Sequence, residues 1–303
     1  MNMECSHRWY VEYVSRTAMF GLFLFMAFHL WSREAWGAPS LQVFVSIAPQ
    51  KYFVERIGGS HVSVSVFVEP GRSPATYEPT PRQMTRLSHA RLYFAIGVPF
   101  EEVWMSRIRN ANPEMKIISL QEGIPLREID RLGKGGGEKG RKDPHVWTSP
   151  PLVRLMAARI RDALAAEDPA HQADYEDNFK LFVADLVALD SHIRDRLSGL
   201  KGSAFMVYHP TWGYFTDTYG LRQIPIESGG KEPGARMLQK VIAVGRREGV
   251  KVIFVQEQFS TRTAKTVARS LGARVATVDP LAEDYLKNLR KVADIFADAL
   301  RNR

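Results

Sequence analysis

A single apolar stripe at helical spacing runs through the middle of the chain, between Asp168 and Leu200. Its members recur every three or four residues, which is the period of a helix and not of a strand. They are Tyr175, Phe179, Phe182, Leu186, Leu189, Ile193 and Leu197. Asp168 is expected to cap the first amides, Pro169 to take the first helical position and Gly199 to adopt the left-handed turn that ends the helix.

A helix of about 30 residues is about 45 Å long, which is enough to connect two domains. The near-heptad spacing of the stripe would also suit a coiled-coil arm. Sequence rich in predicted strands lies on both sides of the stripe, however, and this favours a helix that joins two domains.

Short apolar runs alternate with helical stretches on both sides of this helix. Strands are predicted over 43–47, 62–68, 92–96, 116–120, 204–208, 223–226, 252–255 and 275–278. Helices are predicted over 50–57, 81–88, 100–110, 150–166, 212–219, 233–248, 261–271 and 281–300. Such alternation is typical of parallel sheets with helices on both faces. We therefore predict an α/β fold in which two small Rossmann-like lobes, residues 39–167 and 201–303, are joined by one long rigid helix, residues 168–200.

The first 38 residues have the order of a secretory signal peptide. Arg8 and Arg16 precede the apolar run 17–31, and the small residues Ala35, Gly37 and Ala38 follow it. The run is shorter than the roughly 20 residues of a membrane-spanning helix, which favours a signal over an uncleaved anchor. Both alternatives place the rest of the chain outside the cytoplasm.

Cysteine and charge restrict the kind of site that the chain can build. The only cysteine, Cys5, lies in the predicted signal, so a site in the mature chain would use His, Asp and Glu. The formal net charge of +8 is spread over many helices without an aromatic-basic cluster. This pattern indicates surface charge rather than a nucleic-acid interface.

The segment 131–142 contains five glycines and five basic residues and interrupts the alternation of strands and helices. We expect a mobile surface loop there. A phosphate-binding loop is disfavoured because no strand-to-helix junction frames the glycines.

Polar residues follow several predicted strands, at the edge where parallel sheets bind ligands. The preferred candidates are His145, His209 and Asp279, because imidazole and carboxylate donors suit zinc, and manganese where oxygen donors increase. Each also has an ordinary structural interpretation, since such residues often cap helices or bind backbone, and Asp279 could be a helix N-cap. Glu227 and Glu257 are expected to be solvated.

Four ordered motifs carry a resemblance to a known family. They are residues 71–81 (GRSPATYEPTP), residues 143–150 (DPHVWTSP), residues 209–215 (HPTWGYF), and residues 258–260 (QFS) with 278–281 (VDPL). Together they resemble the zinc and manganese family of ABC-transporter substrate-binding proteins, over about residues 43 to 300. The resemblance implies two α/β lobes on a rigid helix with a metal ion between them.

By this resemblance, His145 matches the second family ligand, His209 the third and Asp279 the carboxylate ligand. Ala75 stands where the family usually has its first histidine. A methyl group cannot coordinate a metal, so the resemblance implies either three protein ligands with water or a recruited carboxylate such as Glu69 or Glu257. The segment before residues 143–145 also lacks the histidines common in zinc members of the family.

The resulting expectation is a monomeric extracytoplasmic binding protein that captures a divalent transition metal and catalyses no reaction. Zinc is favoured and manganese is the alternative, and the partner is an ABC permease with its ATPase. A zinc hydrolase with Glu257 as base is a second hypothesis, disfavoured because no His-Glu-x-x-His motif is present. A binding protein with a non-metal ligand is a third, suggested by Ala75.

Overall fold

The computed structural model describes residues 40–132, 140–227, 230–259 and 261–301. Two four-stranded sheets, each entirely parallel, are built from these residues. The first has the order β2-β1-β3-β4, with β1 Leu41–Val45, β2 Val62–Val66, β3 Leu92–Ala95 and β4 Lys116–Ser119. The second has the order β6-β5-β7-β8, with β5 Ala204–Val207, β6 Arg222–Pro225, β7 Val252–Val255 and β8 Arg274–Thr277.

Helices follow the strands in both halves of the chain. They are α1 Ala48–Gly58, α2 Pro81–Leu87, α3 Pro99–Ala111, α4 Pro150–Glu167, α5 Gln172–Arg196, α6 Gly213–Tyr219, α7 Ala235–Arg247, α8 Arg262–Leu271 and α9 Tyr285–Arg301. The predicted α/β fold, with two parallel sheets and one long connecting helix, is confirmed.

Strands β3, β5 and β7 are apolar throughout, as is typical of parallel strands whose two faces are both covered by helices. Every residue of β3, β5 and β7 is buried. Strand β1 pairs on one side with β2, Val43 opposite Val64, and on the other side with β3, Val43 opposite Leu92. Parallel pairing brings the carboxyl ends of all four strands to one edge, which is where the chain leaves each sheet to build a site.

Helix α5 packs against helices from both halves of the chain. Its predicted stripe faces inward: Tyr175, Phe182, Leu186, Leu189, Ile193 and Leu197 are buried, and Phe179 is partly buried against the same core. The ring of Phe182 lies 5.8 Å from that of Phe53 in α1. Phe53 in turn meets Tyr285, the first residue of α9, edge to face at 4.8 Å. These contacts explain why the apolar residues of α5 repeat along its whole length.

Helix α5 is shorter than the 168–200 helix that was predicted. It has 25 residues, or about 37 Å, because residues 169–171 form a separate 3₁₀ turn. The predicted cap at Asp168 is wrong: its carboxylate accepts hydrogen bonds from Tyr175 Oη at 2.6 Å and His171 Nδ1 at 2.7 Å. Gly199 does adopt the left-handed conformation, with φ of 77°, just beyond the helix end.

The last helix also begins later than predicted, at Tyr285 rather than at residue 281. The amide of Leu281 donates to Asp279 Oδ1, whereas in the first turn of the helix the amide of Lys287 donates to Asp284 Oδ1 at 3.3 Å. Asp279 is therefore not the N-cap of this helix.

Two predictions fall on segments outside the described residues. The signal peptide of residues 1–38 lies there entirely, and so do residues 133–139 of the glycine-rich loop. The described residues from Leu41 onward form one compact unit. Within the described ranges, no helix is both long enough and apolar enough to cross a membrane.

Candidate metal-binding site

Two histidines, one from each half of the chain, meet at a central cavity. His209 lies two residues beyond β5, and His145 lies in the segment that leads into α4. Their Nε2 atoms are 3.4 Å apart, and their rings are inclined at 77°. The cavity has a volume of about 380 Å³, and its lining includes Ala75, Pro144, His145, His209, Gln256 and Phe259.

Each imidazole is oriented by a carboxylate on its other nitrogen. His145 Nδ1 lies 2.6 Å from Asp143 Oδ1, and His209 Nδ1 lies 2.8 Å from Glu227 Oε1. An ionised carboxylate only accepts hydrogen bonds, so we assign the proton of each ring to Nδ1. Each Nε2 then carries a lone pair, and the two nitrogens that carry these lone pairs are 3.4 Å apart. Carboxylates placed in this way behind histidines are typical of metal sites.

His145 is 7% exposed, and burial lowers the pKa of its imidazole, although the neighbouring Asp143 opposes this shift. A lowered pKa keeps the ring neutral at physiological pH. Neutral imidazole is the form that donates to a metal.

Asp143 is fixed by contacts on all sides. Its Oδ1 also accepts from the backbone amide of His145 at 3.0 Å, and its Oδ2 accepts from Arg127 at 3.3 Å. The backbone of α6 approaches this pair at Gly213, where a Cβ atom would lie 2.5 Å from Asp143 Oδ2. Tyr214 Oη donates to the carbonyl oxygen of Asp143 at 3.0 Å. A residue from the second half of the chain therefore helps to position the 143–150 motif of the first half.

His209 is held through its backbone and its ring face. Gln256 Nε2, just after β7, donates to the carbonyl oxygen of His209 at 2.6 Å and to Thr211 Oγ1 at 2.9 Å. The ring of Phe259 stacks on the imidazole at 5.2 Å. The position of His209 therefore depends on three successive strands of the second sheet, β5, β6 and β7.

Asp279 lies beside the cavity rather than in its lining. Its Oδ1 accepts hydrogen bonds from Gln258 Nε2 at 3.1 Å and from Leu281 N at 2.9 Å. Gln258, Pro280 and Leu281 do line the cavity. Across the part of the chain that the structure describes, no three His, Cys, Asp or Glu side chains are gathered closely enough to hold a metal ion. The structure thus brings together His145 and His209, with Asp279 in the adjacent wall.

Ala75 lines the cavity, as expected from its place in the 71–81 motif, and its amide donates to Ser73 Oγ at 3.3 Å. The two glutamates considered as replacement ligands do not line it: Glu69 and Glu257 are both exposed. The turn therefore presents a methyl group where the resemblance implies a ligand.

The expectation that Glu227 is solvated is wrong. It is 6% exposed and its Oε1 accepts from His209 and from the amide of Gly230 at 3.1 Å, while Oε2 is buried without a partner among the described residues. Sequence reasoning also missed Gln256. Both residues come soon after a strand end, at the same sheet edge as His209, and that position is the signal that could have identified them.

Comparison with known proteins decides the family. The family model described as "ZnuA: Zinc-uptake complex component A periplasmic" matches residues 43–299, which is most of the chain. The chain belongs to the ZnuA family. The resemblance inferred from the four motifs is thereby confirmed.

Two curated relatives bear names that refer to zinc. The high-affinity zinc uptake system protein ZnuA of Bacillus subtilis is 28% identical over 251 residues, which cover 80% of this chain and 78% of that protein. The zinc-binding lipoprotein AdcA of Streptococcus pneumoniae serotype 4 is 25% identical over 251 residues, again 80% of this chain. The match covers only 50% of AdcA, so this chain corresponds to about half of that protein.

A solved ZnuA structure has the same fold. The crystal structure of a ZnuA deletion mutant with zinc bound superposes with a TM-score of 0.81 at 40% sequence identity, covering 86% of this chain and 98% of that one. The two sheets and the connecting helix are therefore those of the ZnuA family.

Proposed function

We propose that this protein captures a divalent transition metal at the central cavity and delivers it to an ABC permease driven by an ATPase. Zinc is the favoured ion and manganese the alternative. His145 and His209 are the first two ligands, and Asp279 is the third. The metal is cargo that is bound and released, so the proposed activity is binding and not catalysis.

The separation of the two imidazole nitrogens is the observation that carries this proposal. Two Zn–N bonds of about 2.05 Å at a tetrahedral angle place their nitrogens about 3.35 Å apart. His145 Nε2 and His209 Nε2 are 3.4 Å apart. Two lone pairs cannot form a hydrogen bond with each other, whereas a cation between them would satisfy both. The pair thus has the spacing of two neighbouring zinc ligands.

Membership of the family supports the transport role. The family description and the relatives' names refer to zinc uptake and zinc binding. The family description also places its members in the periplasm, which agrees with the signal proposed for residues 1–38. We further propose that the protein acts as a monomer of two lobes, residues 39–167 and 201–303, joined through residues 168–200.

Asp279 lies beside the cavity, so its carboxylate must move toward the two histidines to act as the third ligand. One of its oxygens is already bonded to Gln258 and to the Leu281 amide. A carboxylate has a second oxygen, and an ionised group can keep such bonds while that oxygen coordinates a metal. The same bonds would then hold the carboxylate in the direction of the cation.

A hydrolytic role has less support. A catalytic zinc needs a base beside its bound water, and Glu257 was the candidate for this role. The side chain of Glu257 is exposed and does not line the cavity. We therefore infer binding as the function.

Calorimetric titration of zinc into the metal-stripped mature protein tests the proposal. We expect one tight site per chain, lost when His145 and His209 are both changed to alanine. His89 is exposed and does not line the cavity, so His89→Ala is the matched control. An unchanged titration for the double variant would refute the assigned site, and a wild-type protein that binds no divalent metal would refute the function.

A further inference from the structure

Arg127 binds three carboxylates beside the central cavity without lining the cavity itself. Its two terminal nitrogens form a fork on Asp130, with Nη1 3.0 Å from Oδ2 and Nη2 3.0 Å from Oδ1. Nη1 also lies 3.3 Å from Asp143 Oδ2, and Nε lies 2.9 Å from Asp217 Oδ2. A planar guanidinium can bind several carboxylates in fixed directions, which the single ammonium of a lysine cannot do. Arg127 therefore fixes three acidic side chains relative to one another.

One branch of this network ends at His145. Asp143 is fully buried, and its Oδ1 contacts both the Nδ1 atom and the backbone amide of His145, at 2.6 Å and 3.0 Å. Arg127 holds the other oxygen, Oδ2. The guanidinium thus restrains rotation of the carboxylate that orients the imidazole.

The other branch reaches the chain just beyond His209. Asp130 Oδ2 accepts a hydrogen bond from Nε2 of the buried Gln223, in β6, at 2.8 Å. Gln223 Oε1 in turn accepts from the backbone amide of Trp212 at 3.0 Å, three residues after His209. The two histidines are 64 residues apart in the chain, yet polar contacts through Arg127 connect the segments that carry them.

The backbone of α6 leaves room for the guanidinium only because residue 213 is glycine. A Cβ atom at this position would overlap with Nη1 of Arg127. The guanidinium is the flexible end of a long side chain, so it would move in response. Gly213 directly follows Trp212, and the two branches of the network therefore meet where the chain enters α6.

We propose that Arg127 is a positioning residue of the metal site, which holds His145 and His209 at the spacing of two neighbouring ligands before the metal binds. This inference rests on the proposed function, because it takes the two histidines as metal ligands. Ligands that are fixed in advance lose less conformational freedom on binding. Arg127 therefore contributes to zinc affinity although it is not itself a ligand.

The charge of Arg127 and its positioning role predict opposite effects on zinc affinity. A positive group near the site repels a dication, and three carboxylates remain when the guanidinium is removed. On charge alone, removal of Arg127 would strengthen zinc binding. If the residue positions the ligands, its removal frees Asp143 and Asp130 to move, and zinc binding weakens. The sign of the change decides between the two.

Competition with a chelating dye measures the zinc affinity of the metal-free mature protein. Arg127→Gln should bind zinc about tenfold more weakly, at the lower end of the roughly 10–100-fold range that is typical of groups around metal ligands. Arg196 also pairs with two carboxylates, Asp294 and Asp298, but does not line the cavity. Arg196→Gln is the matched control and should bind zinc like the wild type.

Gly213→Ala tests the position of the guanidinium without removing a charge, and it serves as the test if Arg127→Gln does not fold. The new methyl group displaces Arg127, so zinc binding should again weaken by about tenfold. Gly234→Ala is the control, since a Cβ atom there would have no described atom within 4 Å. It should leave zinc affinity unchanged.

Cobalt(II) in place of zinc reports on the arrangement of the ligands, because its visible absorption depends on coordination geometry. At saturating cobalt, we expect Arg127→Gln and Gly213→Ala to change the absorption spectrum and both controls to keep it. A role limited to overall stability would lower the unfolding temperature and leave the spectrum of the bound metal unchanged.

The outcomes separate this inference from the proposed function. Zinc binding that is unchanged or tighter in Arg127→Gln would overturn the inference and leave the proposed function intact. A wild-type cobalt spectrum in both Arg127→Gln and Gly213→Ala would also overturn it. A wild-type protein that binds no zinc would overturn the proposed function, and the inference with it.

Discussion

Trp147 Nε1 donates a hydrogen bond of 2.8 Å to the carbonyl oxygen of Pro280. Trp147 is two residues from His145 and Pro280 is next to Asp279, so this bond joins the motifs of the two halves beside the cavity. Tyr285 Oη donates to the carbonyl oxygen of Trp147 at 2.9 Å, and both aromatic side chains are buried. The hydrogen bond of the Trp147 indole therefore helps to set the distance between the proposed ligands His145 and Asp279.

Removing this bond should weaken both the fold and the site. Trp147→Phe leaves the buried Pro280 carbonyl without its donor, and we expect a loss of about 1–3 kcal/mol in the free energy of unfolding. Zinc affinity should fall as well, because Asp279 loses its fixed position. Denaturant unfolding and calorimetry measure the two effects. Trp104→Phe on α3 is the control, and equal losses of zinc affinity in both variants would contradict this account.

His209→Ala should remove one of the two converging nitrogens. A structural zinc site contributes about 10–16 kcal/mol, so one ligand of four corresponds to about 3 kcal/mol, or roughly a hundredfold in affinity. Competition with a chelating dye measures the change. His89→Ala should bind zinc like the wild type, and a similar loss in this control would show that the effect does not come from the cavity.

Glu227→Gln tests the carboxylate behind His209. The amide can still approach Nδ1 but carries no charge, so the imidazole should become a weaker and less well oriented donor. Changes of this kind cost about 10–100-fold in metal affinity. Glu257→Gln, at an exposed residue outside the cavity lining, provides the comparison. Equal zinc affinity for wild type and Glu227→Gln would show that the contact does not support metal binding.

Ala75→His should strengthen zinc binding in the absence of chelating anions. The residue lines the cavity, so an imidazole there can replace a water molecule as the fourth ligand. The expected gain is up to about a hundredfold, before strain and desolvation reduce it. Thr76 is the exposed neighbour and does not line the cavity, which makes Thr76→His the matched control. No gain in Ala75→His would mean that the turn does not present this residue to the metal.

Metal binding should weaken steeply below about pH 6, because imidazole must be neutral to donate and free imidazole titrates near 6.5. Burial lowers the pKa of His145. Protons therefore compete with the metal for this imidazole only at pH values below the pKa of free imidazole. Calorimetry at pH 7.5 and pH 5 should show tight and weak binding, respectively. Equal affinity at the two values would exclude a site built on histidine.

The lowered pKa of His145 should also make the stability of the metal-free protein depend on pH. Since the pKa of His145 is lower in the folded than in the unfolded state, the unfolded state binds the proton more tightly. The contribution of this residue to stability is complete above the unfolded value and is lost as the pH falls toward the folded one. Thermal unfolding of wild type and His145→Gln at pH 7.5 and pH 5.5 should therefore show a smaller loss of stability at low pH in the variant.

The local pattern of the sequence determined most of the fold. The stripe from Tyr175 to Leu197 requires only a repeat of three or four residues, and the runs that became β1 to β8 require only short apolar segments between helices. Element ends were less certain, because they depend on side-chain contacts that periodicity does not encode. Asp168 could have capped α5, but Tyr175 and His171 engage its carboxylate instead.

The site was only partly determined by the sequence. His145 and His209 could be chosen because each lies at a strand-end edge and matches a motif, but they are 64 residues apart in the chain. Only tertiary packing brings their nitrogens to 3.4 Å, with α1, α4 and α9 packed on α5 and Phe296 of α9 packed on the rings of Phe205 and Phe254 in the second sheet. Tertiary packing also determines that Glu227 is buried and that one oxygen of Asp279 accepts a hydrogen bond from Gln258. The sequence could not predict either feature, because the exposure and the partners of a side chain depend on residues distant in sequence.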